Sequence, residues 1–142
     1  MDRCLFCAIA AGKVPAHVVY EDDRTVAFLD INPSAPGHTL IIPRAHAARI
    51  EDLSAEGAAA LFAALHTLVK PIREAVGAEA ATVGINDGPG SGQEVSHVHV
   101  HVIPRRRGDG GTIVQSLARH HSHPAHDELS ETAERIRRLA AG

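Results

Sequence analysis

His97-Val98-His99-Val100-His101-Val102-Ile103 is the stretch on which the reading of this chain turns. Imidazole and apolar side chains alternate strictly, which is the two-residue period of a β-strand. His97, His99 and His101 therefore share one face, and Val98, Val100 and Val102 the other. Successive imidazoles on that face stand about 6–7 Å apart from Cα to Cα. A helix would scatter the rings around its axis, so the valines call for a core behind a strand. A sheet surface has no structural need for three imidazoles in register, and the row points to chemistry of one of two kinds. Alternate histidines suit a metal ion. Alternatively, one imidazole is a nucleophile while its neighbours position and protonate the groups it attacks.

The remainder of the chain sets bounds on both. Its 142 residues suit one domain with a single hydrophobic core. A net charge of −3 argues against the broad basic field that nucleic-acid binding uses, and the absence of Trp leaves little on which bases would stack. No apolar run reaches membrane-spanning length, and no basic segment followed by an apolar one opens the chain. The expectation is a cytoplasmic protein with neither nucleic acid nor membrane as partner. Cys4 and Cys7 are the only cysteines, in a C-x-x-C spacing that fits zinc, thiol redox chemistry or a pair of plain buried thiols. A tetrahedral zinc site needs two further ligands from elsewhere.

Taken in order, residues 4–12 predict a short helix ended by Gly12, and Val18 to Glu21 a strand. Asp22-Asp23 is a turn signal and Thr25 to Leu29 a second strand, forming a hairpin. After a loop through Asp30 to Gly37, His38 to Ile42 reads as a third strand stopped by Pro43. Ser54 is a helix N-cap, followed at helical spacing by Leu61, Leu65, Leu68, Ile72 and Val76 up to Gly77, with Pro71 expected to bend the helix. Thr82 to Asn86 predicts a fourth strand, and Asp87 to Gly92 a flexible loop into the histidine strand. The sum is an α+β arrangement of five strands with one long helix between the third and fourth. Beyond Pro104 come a basic, glycine-rich loop (105–111) and a short helix or strand over Ile113 to Leu117. His120, His121, His123 and His126 form an exposed connector, and Asp127 to Ala141 an amphipathic helical tail.

The histidine stretch resembles the signature of the histidine-triad (HIT) family of nucleotide hydrolases and transferases. Other stretches agree in the same order. Cys4-Leu5-Phe6-Cys7 is similar to the N-terminal motif of zinc-carrying bacterial members. Ala27 to Ile31 and Pro36 to His46 are similar to the nucleotide-pocket and third-strand segments, and Asn86-Asp87-Gly88 with Gly92-Gln93 matches before the triad. The resemblance covers roughly residues 4–107. It implies a HIT domain over 1–107 and a C-terminal extension over 108–142. Within the domain it implies a five-stranded antiparallel sheet with a short N-terminal helix and one long helix, paired as a homodimer.

The resemblance also assigns roles. His99 is implied as the nucleophile at the α-phosphorus of a nucleotide, giving a nucleotidyl-imidazole that water hydrolyses. His101 hydrogen-bonds the phosphate and leaving group, and His97 and His38 complete the imidazole cluster. Asn86, Gln93 and the amides around Gly92 match phosphate-contacting residues. Asp30 matches the carboxylate that holds the ribose hydroxyls, and the base slot falls near Leu5, Phe6, Ile9, Phe28 and Ile31. A structural zinc on Cys4, Cys7, His46 and His97 is implied, with no catalytic metal. Glu94 stands where some relatives carry a hydroxyl residue. His101 sets the chain apart from the transferase branch, which carries Gln at that position. The Cys pair resembles the Hint-like branch and implies a purine nucleotide conjugate as substrate, a phosphoramidate such as AMP joined to an amine. Val102-Ile103-Pro104-Arg105 is similar to the Fhit-like dinucleoside polyphosphate hydrolases. A nucleotide-binding sensor or scaffold with little turnover, and a metalloenzyme with all three triad histidines on one metal, are the competing classes.

Overall fold

The computed structural model describes residues 3–117 and 123–142. Two compact units make up the chain, Met1–Gly111 and Thr112–Gly142. The first is α+β, in the order α1 (Leu5–Ala10), β1 (Val18–Glu21), β2 (Thr25–Leu29), β3 (Thr39–Pro43), α2 (Ala55–Ala75), β4 (Ala80–Gly84) and β5 (Val100–Arg105). The strands form one sheet ordered β1-β2-β3-β5-β4, antiparallel at every pairing. β1 to β3 are a meander. The long helix α2 then crosses the sheet to the far edge, and β5 returns between β3 and β4.

Alternation along the strands builds a core on each face of the sheet. Ala27, Ile41, Val98, Val100 and Val102 face α2 and bury against Leu61, Ala64, Leu68 and Ile72. Those four recur at spacings of three and four, the stripe that a helix lays on a sheet. On the other face Val26, Phe28, Leu40 and Ile42 pack with Phe6 of α1. Ile41 is completely buried, so its truncation to Ala should cost about 2–5 kcal/mol.

The helix starts follow the capping signals. Ser54 accepts the Gly57 amide hydrogen at 2.9 Å, and the Cys4 sulfur accepts that of Cys7 at 3.5 Å. α2 continues through Pro71, and Gly77 follows it at φ +66°, a backbone angle that suits glycine.

The histidine strand is where expectation and structure part. Its ladder covers Val100–Arg105, so His97 and His99 precede it, His97 in a bend whose amide donates to the Val95 carbonyl at 2.8 Å. Val98 donates instead to the Ala47 carbonyl at 2.8 Å, beyond the end of β3. Pro104 does not end the strand, because the β3 ladder stops at the Thr39–Val102 pair and only β4 flanks β5 beyond it. An absent amide hydrogen costs nothing on a side with no partner strand. β4 likewise lies two residues earlier than Thr82 to Asn86, and β3 runs from Thr39 to Pro43 rather than from His38.

The second unit holds a short 3₁₀ turn at Val114–Ser116 and the helix α3, His126–Ala141. His123 and His126 are exposed, while His120 and His121 lie outside the described residues. No described helix is long and apolar enough to cross a membrane.

Candidate active site

A cavity of about 290 Å³ opens on the α1 face of the sheet. Leu5, Phe6 and Ile9 line it from α1, Phe28 from β2, Asp30 and Ile31 from the loop that follows, and His99 and His101 from the triad. These are the residues in which the sequence placed the base slot, the ribose carboxylate and the reactive imidazoles. Val14-Pro15-Ala16, Glu94 and Val95 also line it, with Leu29, Asn32 and Leu40. Of these, Glu94 is the one that the family resemblance marks as a site position.

His99 is buried, at 6% exposure, and its ring and that of Phe6 meet edge to face at 5.0 Å between centroids. Its Nδ1 lies 2.7 Å from the carbonyl oxygen of His97. A carbonyl only accepts, so Nδ1 carries the hydrogen and Nε2 carries the lone pair. The ring is thus held as the tautomer whose free nitrogen is nucleophilic. No side-chain pattern announces this contact, because the acceptor is main chain.

The same logic runs along a second chain of contacts. The Ser34 amide donates to His38 Nδ1 at 3.0 Å, which leaves the His38 hydrogen on Nε2. His38 Nε2 stands 2.9 Å from His101 Nδ1 and donates to it, so His101 presents Nε2–H as its outward donor. The loop from 30 to 38 wraps this unit. The Asp30 amide donates to the His38 carbonyl at 2.9 Å, and Asp30 Oδ2 lies 3.7 Å from His38 Nε2. Gly37 turns the chain into β3 at φ +85°, and a Cβ there would meet Val76 at 2.9 Å and Pro104 at 3.2 Å.

Burial, followed by repulsion from His99 and His38 and partly offset by Asp30, holds His101 down from its ordinary 6.5 to about 4. Burial likewise lowers His38, against an opposing pull from Asp30. Both rings are neutral near pH 7. The unfolded chain takes up the His101 proton more readily than the fold does, so this contribution to stability is complete above pH 6.5 and lost as pH falls toward 4. The melting temperature of the protein should therefore drop more steeply across that window than that of His101→Gln. Parallel curves would remove His101 from the linkage.

His97 turns out of this group. Its ring is fully buried, Nε2 donates to the Pro43 carbonyl at 2.8 Å, and Nδ1 faces Cys4 Sγ and Cys7 Sγ, each at 3.5 Å. His46 Nδ1 lies 3.4 Å from Cys7 Sγ. The ligand atoms of Cys4, Cys7, His46 and His97 all fall within 4.8 Å of one another. Zinc bonds of about 2.3 Å to sulfur and 2.0–2.1 Å to nitrogen, set tetrahedrally, separate unlike ligand atoms by about 3.5 Å. The observed spacings fit that ion. The Pro43 carbonyl leaves the Nδ1 lone pair free for it, as the outer partner of a ligating histidine does.

The remaining expected residues stand apart from the cavity wall. Gln93 is engaged at both ends: Oε1 accepts the Gly88 amide hydrogen at 2.7 Å, and the side-chain nitrogen donates to the Ala48 carbonyl at 2.8 Å. It fastens the loop in which Gly92 turns at φ +97°. Asn86 is half-buried where the chain leaves β4. Arg105 is tied to Asp109 and Thr82.

Residues 11–108 match the HIT domain. The chain is 40% identical over 110 residues to an uncharacterized HIT-like protein of Methanocaldococcus jannaschii, covering 78% of this chain and 84% of that one. It is 41% identical over 102 residues to the adenosine 5'-monophosphoramidase hnt1 of Schizosaccharomyces pombe, covering 72% and 74% respectively. It is also similar to the crystal structure of a Zn-bound histidine triad family protein from Mycobacterium smegmatis, with a TM-score of 0.73 and 37% identity over 89% of this chain and 87% of that one. Ordered motifs, sheet topology and matched residues agree, and the chain belongs to the histidine-triad (HIT) family.

Proposed function

We propose that this protein is a nucleotide hydrolase that cleaves purine nucleotide conjugates at the α-phosphate, with nucleoside phosphoramidates as the substrate class. The observation that carries the reading is the fixed tautomer of His99 on the wall of a cavity that also offers an apolar slot and Asp30. The lone pair on Nε2 attacks the α-phosphorus, and the bond from phosphorus to the amine nitrogen breaks. Positive charge that develops on the imidazole is shared with Nδ1–H, which already donates to a carbonyl. His101 offers Nε2–H to the phosphoryl oxygen or the departing nitrogen. The amine takes up one proton as it leaves. Water then displaces the imidazole, releases the mononucleotide and returns a proton to solvent. Support also comes from the similarity to a monophosphoramidase. Cys4, Cys7, His46 and His97 hold a structural zinc in this reading, and with four protein ligands that site has no opening for substrate. Turnover of AMP amides and of dinucleoside polyphosphates, measured side by side, tests the proposal. AMP release from the amides is expected, and no mononucleotide release from any conjugate would overturn it.

We further infer a homodimer formed across the β4 edge. Among the described residues β4 has a neighbouring strand on one side only, and an apolar groove of about 370 Å³ lies beside it, lined in part by Leu53, Phe62, Leu65, Val83 and Ile85. Phe62 is 68% exposed, which suits a residue awaiting a partner surface. Phe62→Asp should convert a dimer to a folded monomer in light scattering, with unchanged circular dichroism. An unsubstituted chain that is monomeric at assay concentration would count against the pairing.

A further inference from the structure

The wall of the cavity carries two carboxylates, Asp30 and Glu94, and none of the residues lining it is Lys or Arg. This is an odd lining for a site that takes a phosphate ester. The two acids are not equivalent. Asp30 is engaged, with Oδ1 accepting the Asn32 amide hydrogen at 2.8 Å and Oδ2 beside His38. Glu94 is exposed, and among the described residues its carboxylate has neither a hydrogen-bond nor an ion-pair partner.

The walls divide the work. In the proposed reaction α1 and the end of β2 hold base and ribose. Of the two segments left, Val14-Pro15-Ala16 and Glu94-Val95, the second leads directly into the triad and is the wall we assign to the group attached to phosphorus. We propose that Glu94 is a specificity residue that selects the leaving group by charge. It favours conjugates whose departing amine carries a second, cationic group, and disfavours oligophosphate leaving groups. The chemistry is simple: a carboxylate with no protein cation attracts an ammonium and repels a chain of phosphates. This deepens the hydrolase reading and rests on it.

The test compares two AMP phosphoramidates of equal chain length, one made from a plain alkylamine and one from a diamine whose far end is an ammonium. At low salt the protein should favour the diamine conjugate in kcat/KM by roughly two- to fivefold, the range of an exposed ion pair. High salt should bring that ratio toward one. Glu94→Gln should show a ratio near one at both salt levels, and Glu94→Lys should reverse it and raise turnover of diadenosine tetraphosphate relative to the alkylamine conjugate. A structural role for Glu94 would move none of these ratios. Equal ratios in the unsubstituted protein and Glu94→Gln would overturn the assignment and leave the hydrolase reading intact. No turnover of either amide by the unsubstituted protein would overturn both.

Discussion

His99→Ala should lower turnover of an AMP amide by roughly 10⁴- to 10⁶-fold, the scale on which loss of a nucleophile is felt. Nucleotide affinity should stay within a small factor. In the proposed reading Leu5, Phe6, Ile9, Phe28 and Ile31 form the base slot and Asp30 is held in place by its own loop. Phe6 is the slot residue whose ring packs on His99, and it is anchored independently against Phe28. The loss should therefore appear in kcat, with titration calorimetry showing a nearly unchanged dissociation constant. A rapid quench into base should trap a nucleotidyl adduct on the unsubstituted protein, whereas acid should release it, because the phosphorus–nitrogen bond to imidazole is acid-labile. Peptide mapping should place that adduct on His99. Adduct on another residue, or full activity in His99→Ala, would sink the mechanism. His101→Ala should hurt poor leaving groups more than good ones, since what it removes is the donor to the departing atom.

What is legible in the sequence depends on which forces leave a mark on it. Alternation at 97–103 named the faces correctly: Val98, Val100 and Val102 enter the α2 core, and the histidines stay off it. It could not name the ladder. Whether His97 and His99 pair with β3 depends on where the Ala47 carbonyl lies, and no periodicity encodes that. The spacing of Leu61, Leu65, Leu68, Ile72 and Val76 marks the buried side of α2. In the structure Leu61, Leu68 and Ile72 are buried together with Ala64, which the spacing of large side chains does not mark, while Leu65 is half-buried against the same core. Leu65 also lines, with Phe62, the groove beside β4.

The site shows the same division. Its side-chain lining was legible because family motifs mark residues, and eight of the expected positions do meet at one cavity. The contacts that set its chemistry were not. His99 is fixed by the His97 carbonyl, His38 by the Ser34 amide and His97 by the Pro43 carbonyl, and every residue type offers such main-chain groups. Gln93 matched a phosphate-contacting residue, yet both ends of its amide bind backbone. A motif records that a residue matters, and only geometry says to which atom.

Removing the proposed zinc from the Cys4–Cys7–His46–His97 site should be the second large effect, on stability first and on rate second. Protein purified without added zinc should contain about one equivalent per chain. Stripping it with a strong chelator leaves two thiols and two imidazoles crowded at 3.4–3.5 Å with no ion between them. It also frees the N-terminus, which is joined there to the chain beside β5. The melting temperature should fall by on the order of 10 °C, a loss of a few kcal/mol in a domain of this size. Cys4→Ser should reproduce the fall, and also weakens the cap of α1, whose Phe6 packs on His99. The effect on rate has a defined route: the cluster holds the His97 ring, and the carbonyl of that same residue holds His99 Nδ1. Metal-free protein should therefore keep the covalent step at reduced kcat, because the nucleophile remains but its tautomer and orientation are less well held. Restoring zinc should restore both properties together. A metal-free preparation with undiminished melting temperature would remove the structural ion from this account, and complete loss of the nucleotidyl adduct without zinc would show that the metal serves the chemistry directly.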